Sequence, residues 1–469
     1  MDFATRPWYA RSPVSLQSSA VTLFGVAARA ARNGRSFRRA LAELLATEEY
    51  SEGEFAELQN SRLRDLIAHC YDHVPYYRRV MGEHGIKPSD IVTTADLPKL
   101  PLLSKDDVKR VAPELVSDGA RASRTYIGRT SGTTGTPMEY VRDARSVILE
   151  QAFIWRHWLG AGLPLWGRRA TLRGDAVVPG AQTRPPYWRH NAAEHQLVMS
   201  SFHLSRDSVP EYVGALRSFK PLALQAYPSS VYFLARTMLE LGLTLEVPLV
   251  FTASEPVYPK QRATIEEALG ARVFDFYGQA ERVVFAMECH EHRGMHVAPE
   301  YGILELVEPE GPHPEGTREI VGTGLLNRAM PLIRYRTGDL TPALGTACPC
   351  GRAMPLITTI DTRAGDMIIT PDGRFLTFAG LTHAFMGLKN MVKSQVIQDA
   401  VDHVRLLIVQ APGYEEADGL AAAASLAEYF GKGIRIDIEL VDDIAREASG
   451  KYRWIVSELH PADWERHDE

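Results

Sequence analysis

The chain has 469 residues, of which 45% are apolar, and it carries 52 Lys and Arg against 58 Asp and Glu. This length predicts two or three domains, each with a hydrophobic core of its own. A net charge of −6 spread over so long a chain excludes a basic nucleic-acid-binding protein and an acidic disordered one. Four cysteines exclude a disulfide scaffold, and the first residues lack a secretory signal pattern, so we expect a cytoplasmic protein.

The hydropathy of the chain predicts no membrane span, because no window approaches the roughly 18 apolar residues that a spanning helix needs. Residues 20–39 have an unusual composition, since Val21, Leu23 and Phe24 precede a run of arginines. That mixture is typical of a surface helix. A helix that lies on an anionic membrane is the alternative.

The first hundred residues read as mainly helical. Apolar residues recur at helical spacing from Phe55 to Cys70, and Ser51 with Glu54 forms a capping-box pattern before them. After Tyr126 the pattern changes to short apolar strands separated by Gly and Pro, with helices between several of them. The predicted buried strands are 249–252, 273–277 and 303–307, and the predicted helices are 210–219, 229–241 and 259–269. This alternation indicates an α/β fold with a helix-covered sheet.

The pattern of apolar and polar residues changes again after about residue 360. A strand at 404–409, a helix at 415–430 and a strand at 434–440 predict a small α+β domain. We therefore expect a large N-terminal domain of residues 1–360 and a small mobile C-terminal domain of residues 361–469. Gly365 and the charged residues around it mark the expected hinge.

A loop rich in hydroxyl groups follows Tyr126 and Ile127. Its residues are Thr130, Ser131, Gly132, Thr133, Thr134 and Gly135. The two glycines permit positive φ angles, and clustered hydroxyl and amide groups suit a polyphosphate. A polar hairpin loop has the same composition, and the P-loop pattern is absent.

Three further segments stand in fixed order after this loop. They are Phe276-Tyr277-Gly278-Gln279-Ala280-Glu281, Tyr335-Arg336-Thr337-Gly338-Asp339 and Ser449-Gly450-Lys451. Together with the hydroxyl loop, they resemble the motifs of the adenylate-forming enzyme superfamily. Tyr227-Pro228-Ser229, Ser254-Glu255-Pro256 and Cys348-Pro349-Cys350 resemble its phenylacetate–CoA ligase branch, which includes relatives from capsule gene sets.

This resemblance implies an ATP-dependent ligase with a multi-sheet N-terminal domain and a mobile cap. Such an enzyme converts a carboxylic acid into an acyl-adenylate, releases pyrophosphate and passes the acyl group to an acceptor. The branch implies the thiol of CoA as that acceptor. An amine acceptor is one alternative, because residues 370–381 do not resemble the Arg-Gly-rich segment of CoA-using members. Transfer of AMP itself to a hydroxyl group is a second alternative. The oligomeric state, monomer or homodimer, is left open.

The resemblance also implies roles for individual residues. The hydroxyl loop would hold the β- and γ-phosphates of ATP, Glu281 would bind Mg²⁺, and Tyr277 would stack on adenine. Asp339 and Arg363 would bind the ribose, and Lys451 would stabilise charge between the carboxylate and the α-phosphate. Further expected nucleotide contacts are Phe276, Gly278, Gln279, Ser254, Glu255 and Pro256, and the expected acid pocket is Tyr227, Pro228 and Ser229.

Three cysteines and a histidine form a second candidate site. Cys289, Cys348, Cys350 and His296 offer three thiolates and one imidazole, which would close the tetrahedral shell of a structural zinc ion. A disulfide between Cys348 and Cys350 is disfavoured by the single residue between them. His292 is the alternative histidine ligand. Buried free thiols are the alternative to a metal site, and the resemblance to zinc-binding members of the branch favours the metal.

Overall fold

The computed structural model describes most of the chain. The described residues are 3–4, 6–32, 34–120, 125–129, 138–310, 313, 315–342, 345, 347–358, 360, 367–371, 375–377, 390–430, 433–445 and 453–459.

Helices dominate the first 115 residues and then alternate with strands. The α-helices are α1 (Pro7–Ala10), α2 (Val14–Arg32), α3 (Arg35–Ala46), α4 (Glu52–His73), α5 (Pro75–Glu83), α6 (Lys105–Leu115), α7 (Ala144–Gly160), α8 (Val209–Phe219), α9 (Pro228–Glu240), α10 (Pro259–Leu269) and α11 (Glu416–Phe430). The predicted capping box is confirmed at the start of α4: the Ser51 Oγ accepts from the Glu54 N–H at 3.3 Å, and the Ser51 N–H donates to Glu54 Oε2 at 2.8 Å.

The strands are short, and most are buried. They are β1 (Thr125–Arg129), β2 (Glu139–Asp143), β3 (Arg169–Arg173), β4 (Trp188–Asn191), β5 (Gln196–Ser200), β6 (Ala223–Ala226), β7 (Leu249–Ala253), β8 (Arg272–Gly278), β9 (Phe285–Glu288), β10 (Met295–Val297), β11 (Gly302–Val307), β12 (Arg318–Gly324), β13 (Tyr335–Thr341), β14 (Leu356–Ile357), β15 (Met367–Ile369), β16 (Phe375–Thr377), β17 (Met391–Ala400), β18 (His403–Gln410), β19 (Arg435–Leu440) and β20 (Ile455–Ser457).

The largest sheet has nine strands in the order β14-β10-β9-β8-β7-β6-β3-β5-β4. Its centre, from β5 to β8, is parallel, and antiparallel strands extend both sides. In register, Leu172 pairs with Ala226 and Ala226 with Thr252. The carboxyl ends of β3, β6, β7 and β8 therefore meet at one edge of the sheet, which is where ligands bind in open α/β sheets.

Helices cover both faces of this sheet. Leu224 and Val250 point to the face packed by α8, α9 and α10, whereas Phe251 and Phe274 point to the face packed by α3 and α7. Successive strand residues point to opposite faces, so β7 contributes to both cores. This arrangement explains why the central strands are continuously apolar rather than alternating.

Two compact units divide the chain. The first comprises Met1–Glu305, Val321–Thr337 and Leu344–Thr358, and the second comprises Leu306–Ile320, Gly338–Ala343 and Thr359–Glu469. The second unit contains a sheet in the order β19-β18-β17-β20, and α11 packs against β19. Val404, Leu406 and Ile408 alternate on the buried face of β18. The predicted α/β fold with an α+β C-terminal part is confirmed, and the domain limits at residue 360 stay a prediction.

The predicted elements agree closely with those observed. Each predicted strand and helix of the sequence analysis matches its counterpart to within one residue at either end. One expectation needs correction: the strand predicted as buried at 303–307 is buried only at Ile303, and its remaining residues are half-buried. Residues 20–39 contain two helices, because Gly34 precedes α3 with extended backbone at φ −75° and ψ −162°. Among the described helices, none has the length and apolar character needed to cross a bilayer.

Candidate active site and metal centre

The carboxyl edge of the parallel strands brings together residues from four strands. Arg173 ends β3, Tyr227 follows β6, Ser254 follows β7, and Tyr277 lies near the end of β8. The Arg173 guanidinium carbon lies 5.0 Å from the centroid of the Tyr227 ring, and Arg173 Nη2 donates to Ser254 Oγ at 3.4 Å. The predicted acid pocket and the predicted nucleotide turn are thus linked by an arginine.

Ser254 has a backbone conformation that is unusual for its residue type. Its φ is +74°, in the left-handed region that favours glycine. Residues held in this way against steric preference cluster at binding sites. The turn at Ser254-Glu255-Pro256 carries the chain sharply away from the end of β7.

The turn between β8 and β9 carries Glu281. Gln279 closes this turn twice, since its carbonyl accepts from the Arg282 N–H at 3.2 Å and its Oε1 accepts from the Val284 N–H at 3.2 Å. The pairing of Tyr277 with Ala286 and of Gly278 with Phe285 fixes where the turn begins. Glu281 therefore lies three residues beyond the edge of the sheet.

Two side-chain contacts orient this turn. The Tyr335 hydroxyl donates to Glu281 Oε1 at 2.9 Å, and Tyr335 itself is only 2% exposed. Arg282 Nε lies 3.7 Å from Glu150 Oε2, which also accepts from the hydroxyl of Tyr301. The bond from Tyr335 uses one of the two Glu281 oxygens, so the carboxylate is held in a defined orientation at the end of β8.

Val283, in the same turn, packs against two glycines. A Cβ atom on Gly302 would lie 1.9 Å from the Val283 carbonyl oxygen, and one on Gly322 would lie 2.6 Å from Val283 Cγ2. Real Cβ atoms do not approach other atoms this closely. The absence of side chains on β11 and β12 at these positions is therefore what allows the Glu281 turn to approach these strands.

A buried carboxyl group lies within β8, two residues before Tyr277. Asp275 Oδ1 accepts from the Thr252 hydroxyl at 2.7 Å, and the Asp275 N–H donates to Glu288 Oε2 at 2.8 Å. Burial, together with the negative charge of Glu288, raises the pKa of Asp275 to about 8. Glu288 is in turn paired with Arg262, whose Nη2 lies 2.7 Å from Glu288 Oε1.

The cysteine and histidine candidates come together at the antiparallel side of the sheet. Cys289 follows β9, His296 lies on β10, and Cys348 and Cys350 precede β14. Cys289 Sγ and Cys348 Sγ are 3.6 Å apart, and Cys350 Sγ is 3.3 Å from His296 Nε2. All four donor atoms lie within 4.8 Å of one another. Pairing of β10 with β9 and β14 brings the three segments together.

Three of the four residues of this cluster are buried, and Cys350 is partly exposed. Burial raises the pKa of the Cys289 thiol to about 12 and lowers the pKa of His296 to about 4. The Glu291 N–H donates to Cys289 Sγ at 3.4 Å, which is the kind of outer contact that orients a metal ligand. His292 makes different contacts, since its Nδ1 lies 3.3 Å from Glu288 Oε2. The geometry therefore places His296, and not His292, beside the thiols.

Several predicted site residues are not part of these constellations. The hydroxyl loop at residues 130–135, Arg363 and Lys451 lie outside the described residues. Asp339 lies on β13 in the second unit, one residue after Gly338, whose φ is +73°. Phe276 stacks on Phe285 with ring centroids 5.4 Å apart.

The helix after the predicted acid pocket contributes to the core more than to the pocket. Pro228 and Ser229 begin α9 directly after Tyr227. Val231 and Leu234, on the first turns of this helix, are both 0% exposed and belong to the core under α8 and α10. A helix that packs on the sheet turns this apolar face inward.

Tyr335, Gly302 and Asp275 were missed as site residues by sequence reasoning. Tyr335 is the first residue of the Tyr335-Arg336-Thr337-Gly338-Asp339 motif, so the sequence marked its position. Its contact with Glu281 could not be predicted, because the two residues are 54 positions apart. Gly302 opens an apolar strand, a place where a glycine is a hint of close backbone approach. Asp275, a single acid within the apolar run of β8, was the clearest missed signal.

Comparison with known proteins shows which family the chain resembles. A family model described as the CapK C-terminal domain matches residues 368–458. A phenylacetate–coenzyme A ligase of Thermus thermophilus is 31% identical over 323 residues, which are 66% of this chain and 71% of that protein. The CapK protein of Staphylococcus aureus is 22% identical over 461 residues, covering 96% of this chain and 99% of CapK.

A crystal structure of 2-hydroxyisobutyryl-CoA ligase in the postadenylation state, in complex with R3-HIB-AMP, has the same fold. It aligns with a TM-score of 0.68 and 21% identity, over 88% of this chain and 91% of that one. The fold is therefore that of the adenylate-forming enzymes. Within them, the chain belongs to the phenylacetate–CoA ligase family.

Replacement of Gly302 by Ala tests the close approach of β11 to the Glu281 turn. The added methyl group overlaps the Val283 carbonyl, so we expect the free energy of unfolding to fall by about 1–3 kcal/mol. Gly82→Ala on α5 is the matched control, because no atom lies within 4 Å of its added Cβ and an alanine favours the helix. Urea denaturation measures both. Equal stability of the two variants would show that the turn is not packed as described.

Replacement of Asp275 by Asn tests the buried carboxyl group. The pKa of Asp275 is about 8 in the folded protein and about 4 in an unfolded chain. Between these values the folded state holds a proton that the unfolded state has released, so this group makes stability fall as pH rises from about 4 to about 8. We expect the thermal midpoint of Asp275→Asn to improve relative to the wild type as pH rises through this window.

The matched control for this measurement is Asp106→Asn, at a side chain that is 91% exposed. Its midpoint should follow the wild type at every pH. A constant difference between Asp275→Asn and the wild type across the window would mean that Asp275 does not titrate there.

Proposed function

We propose that the protein activates a carboxylic acid with ATP, forms an acyl-adenylate with release of pyrophosphate, and transfers the acyl group to CoA. The observation that carries this proposal is the Glu281 carboxylate, held by Tyr335 in the turn that follows β8 at the carboxyl edge of the parallel strands. Membership of the phenylacetate–CoA ligase family supports the reaction class. The named ligand of the structural neighbour, an acyl-AMP, agrees with the same intermediate.

Glu281 is the residue that we propose to bind Mg²⁺. Tyr335 donates to one of its oxygens, and the other can serve a hard cation that prefers oxygen ligands. When bound, Mg²⁺ would neutralise phosphate charge. The protein itself holds the Glu281 carboxylate in a fixed position for the ion. It does so because Tyr335 is buried and because Gln279 closes the turn.

Arg173 is our candidate for attracting the acid. Its guanidinium lies over the Tyr227 ring and bonds Ser254, so it stands between the acid pocket and the nucleotide turn. A fixed cation there would favour a carboxylate and orient it toward the α-phosphate. Three further roles are proposed from the sequence motifs alone. Asp339, in the second unit, and Arg363, outside the described residues, would bind the ribose. Lys451, also outside the described residues, would stabilise the developing charge.

CoA is the proposed acceptor, and an amine is the second candidate. The match to the Thermus thermophilus CoA ligase covers 66% of the chain, whereas the C-terminal region matches the CapK domain. Residues 370–381, TPDGRFLTFAGL, fall in this region and lack the Arg-Gly-rich pattern of CoA-using relatives. To decide between the two acceptors, an acid that supports pyrophosphate exchange is incubated with ATP and either CoA or an amine. The true acceptor is the one whose addition causes release of AMP.

We also propose that Cys289, His296, Cys348 and Cys350 bind a structural zinc ion. Zinc–sulfur bonds of about 2.3 Å at tetrahedral angles hold two sulfurs about 3.8 Å apart, close to the 3.6 Å between Cys289 and Cys348. The donor set of three thiols and one imidazole leaves no open position, so the zinc would act on stability and not on the reaction.

We propose that the protein is cytoplasmic, because cysteines that form no disulfide fit a reducing compartment.

ATP–pyrophosphate exchange over a panel of carboxylic acids tests the proposed reaction. With the best acid, Glu281→Gln should lower the exchange rate at least about 100-fold and Lys451→Ala should abolish it while ATP still binds. Tyr335→Phe should lower exchange about tenfold and raise the Mg²⁺ concentration needed for half of the maximal rate, because Glu281 loses its donor.

Tyr9→Phe is the matched control, since Tyr9 is also a fully buried tyrosine whose hydroxyl makes a hydrogen bond, to the Val177 carbonyl at 2.7 Å. It should keep the wild-type Mg²⁺ dependence. Exchange that is absent with every acid, combined with AMP incorporation into a hydroxylated compound, would refute acid activation. An unchanged Mg²⁺ requirement in Tyr335→Phe would refute the positioning role.

Elemental analysis of the purified protein tests the zinc proposal. We expect one zinc per chain, loss of the metal in the Cys348→Ser/Cys350→Ser variant, and a lower thermal midpoint in that variant. Cys70→Ser is the control, because Cys70 is a buried free thiol on α4, away from the cluster. Zinc that persists in the double variant would contradict the assigned ligands.

A further inference from the structure

Helix α2 has one face that is fixed to the sheet. Gln17, Val21 and Gly25 are buried on this face, and Gln17 Oε1 accepts from Arg189 Nε of β4 at 2.6 Å. A Cβ on Gly25 would lie 2.1 Å from Asn191 Oδ1, so the helix lies directly against β4. This packing fixes which side chains of α2 point away from the protein.

The opposite face of α2 exposes large apolar side chains. Leu16 is 58% exposed, Leu23 70% and Val26 53%, and at 100° per residue they fall within an arc of about 80°. Phe24, 43% exposed, lies on the flank of α2 between this face and the buried one, about 80° from Leu16 and about 20° from Gln17. The exposed Ser19 lies within the same arc. Three large exposed apolar side chains on one side of a single helix nevertheless indicate a binding face.

Trp8 extends this surface beyond α2. It is 54% exposed and lies on α1, with its ring centroid 5.7 Å from that of Tyr9. Tyr9 stacks on Phe3, whose ring meets Phe24 edge-on at 5.7 Å. A row of aromatic rings therefore leads from Phe24, on the flank of α2, to an exposed tryptophan, the residue that favours the boundary between lipid and water.

The charge of this segment is opposite to that of the whole chain. Residues 3–42 contain seven arginines and no lysine, aspartate or glutamate, although the chain has a net charge of −6. Arg29 is engaged by the protein, since Nη1 donates to the Ala193 carbonyl at 2.6 Å and the guanidinium lies over Trp166. Arg32, Arg35 and Arg38 are exposed where α2 ends and α3 begins.

We propose that α1, α2 and the start of α3 form a docking surface for an anionic phospholipid bilayer. The aliphatic stripe would enter the boundary between headgroups and acyl chains, and the arginines would contact lipid phosphates. An acidic protein partner would use the same charges, but the convex stripe on a single helix offers no groove to receive its side chains. This attachment is independent of the proposed reaction.

Sedimentation with vesicles tests this proposal on the full chain. We expect the protein to bind vesicles of equal parts phosphatidylcholine and phosphatidylglycerol, at least about tenfold more strongly than vesicles of phosphatidylcholine alone. Binding should weaken as salt is raised, because charge attraction is screened. Leu16→Glu/Leu23→Glu should abolish binding, and each of Arg35→Gln and Arg38→Gln should weaken it about fivefold.

Leu420→Glu is the matched control, because Leu420 is 57% exposed on α11 and lies far along the chain from this surface. It should bind vesicles as the wild type does. Unchanged circular dichroism in Leu16→Glu/Leu23→Glu separates loss of docking from loss of folding. Vesicle binding that is absent in the wild type, equal for both lipid mixtures, or retained in the double variant would overturn the proposal, as would binding to soluble polyglutamate with none to vesicles.

Discussion

The register of the β8–β9 hairpin is the constraint on which both candidate sites depend. Its first strand is held parallel to β7 through Ala253 and Phe276, and its second strand is antiparallel to the first through Phe276 and Met287. The turn places Glu281 at the carboxyl edge of the sheet, and the end of β9 places Cys289 at the cysteine and histidine cluster. A shift by one residue would turn both groups to the wrong face.

Buried polar contacts keep this hairpin in place. Asp275, in the first strand, joins Thr252 of β7 to Glu288 at the end of the second strand. Glu288 in turn precedes Cys289 directly. A metal ion at the cluster would therefore stabilise the same hairpin that carries the Glu281 turn at its other end. On the proposed function, the ion would contribute to activity through the stability of the hairpin and not through the reaction.

Much of the fold could be predicted from the sequence, because apolar periodicity, capping residues and turn residues are local signals. The capping box at Ser51 and the strands around Phe251 are examples. The members of the cysteine cluster were also predicted, from residue type and from the resemblance to zinc-binding members of the branch. The bond from Tyr335 to Glu281 and the contact of Gly302 with Val283 could not be predicted, since each depends on pairing between segments far apart in sequence. The break before α3 was missed because both helices have similar composition.

Labelling of the carboxylate with ¹⁸O tests the central claim most directly. If the acid is activated as its adenylate, one labelled oxygen remains on AMP when the acyl group passes to the acceptor. We therefore predict singly labelled AMP in the wild type, detected by mass spectrometry in an amount equal to the acyl product. Unlabelled AMP, or ADP as the nucleotide product, would contradict acyl-adenylate formation at this site.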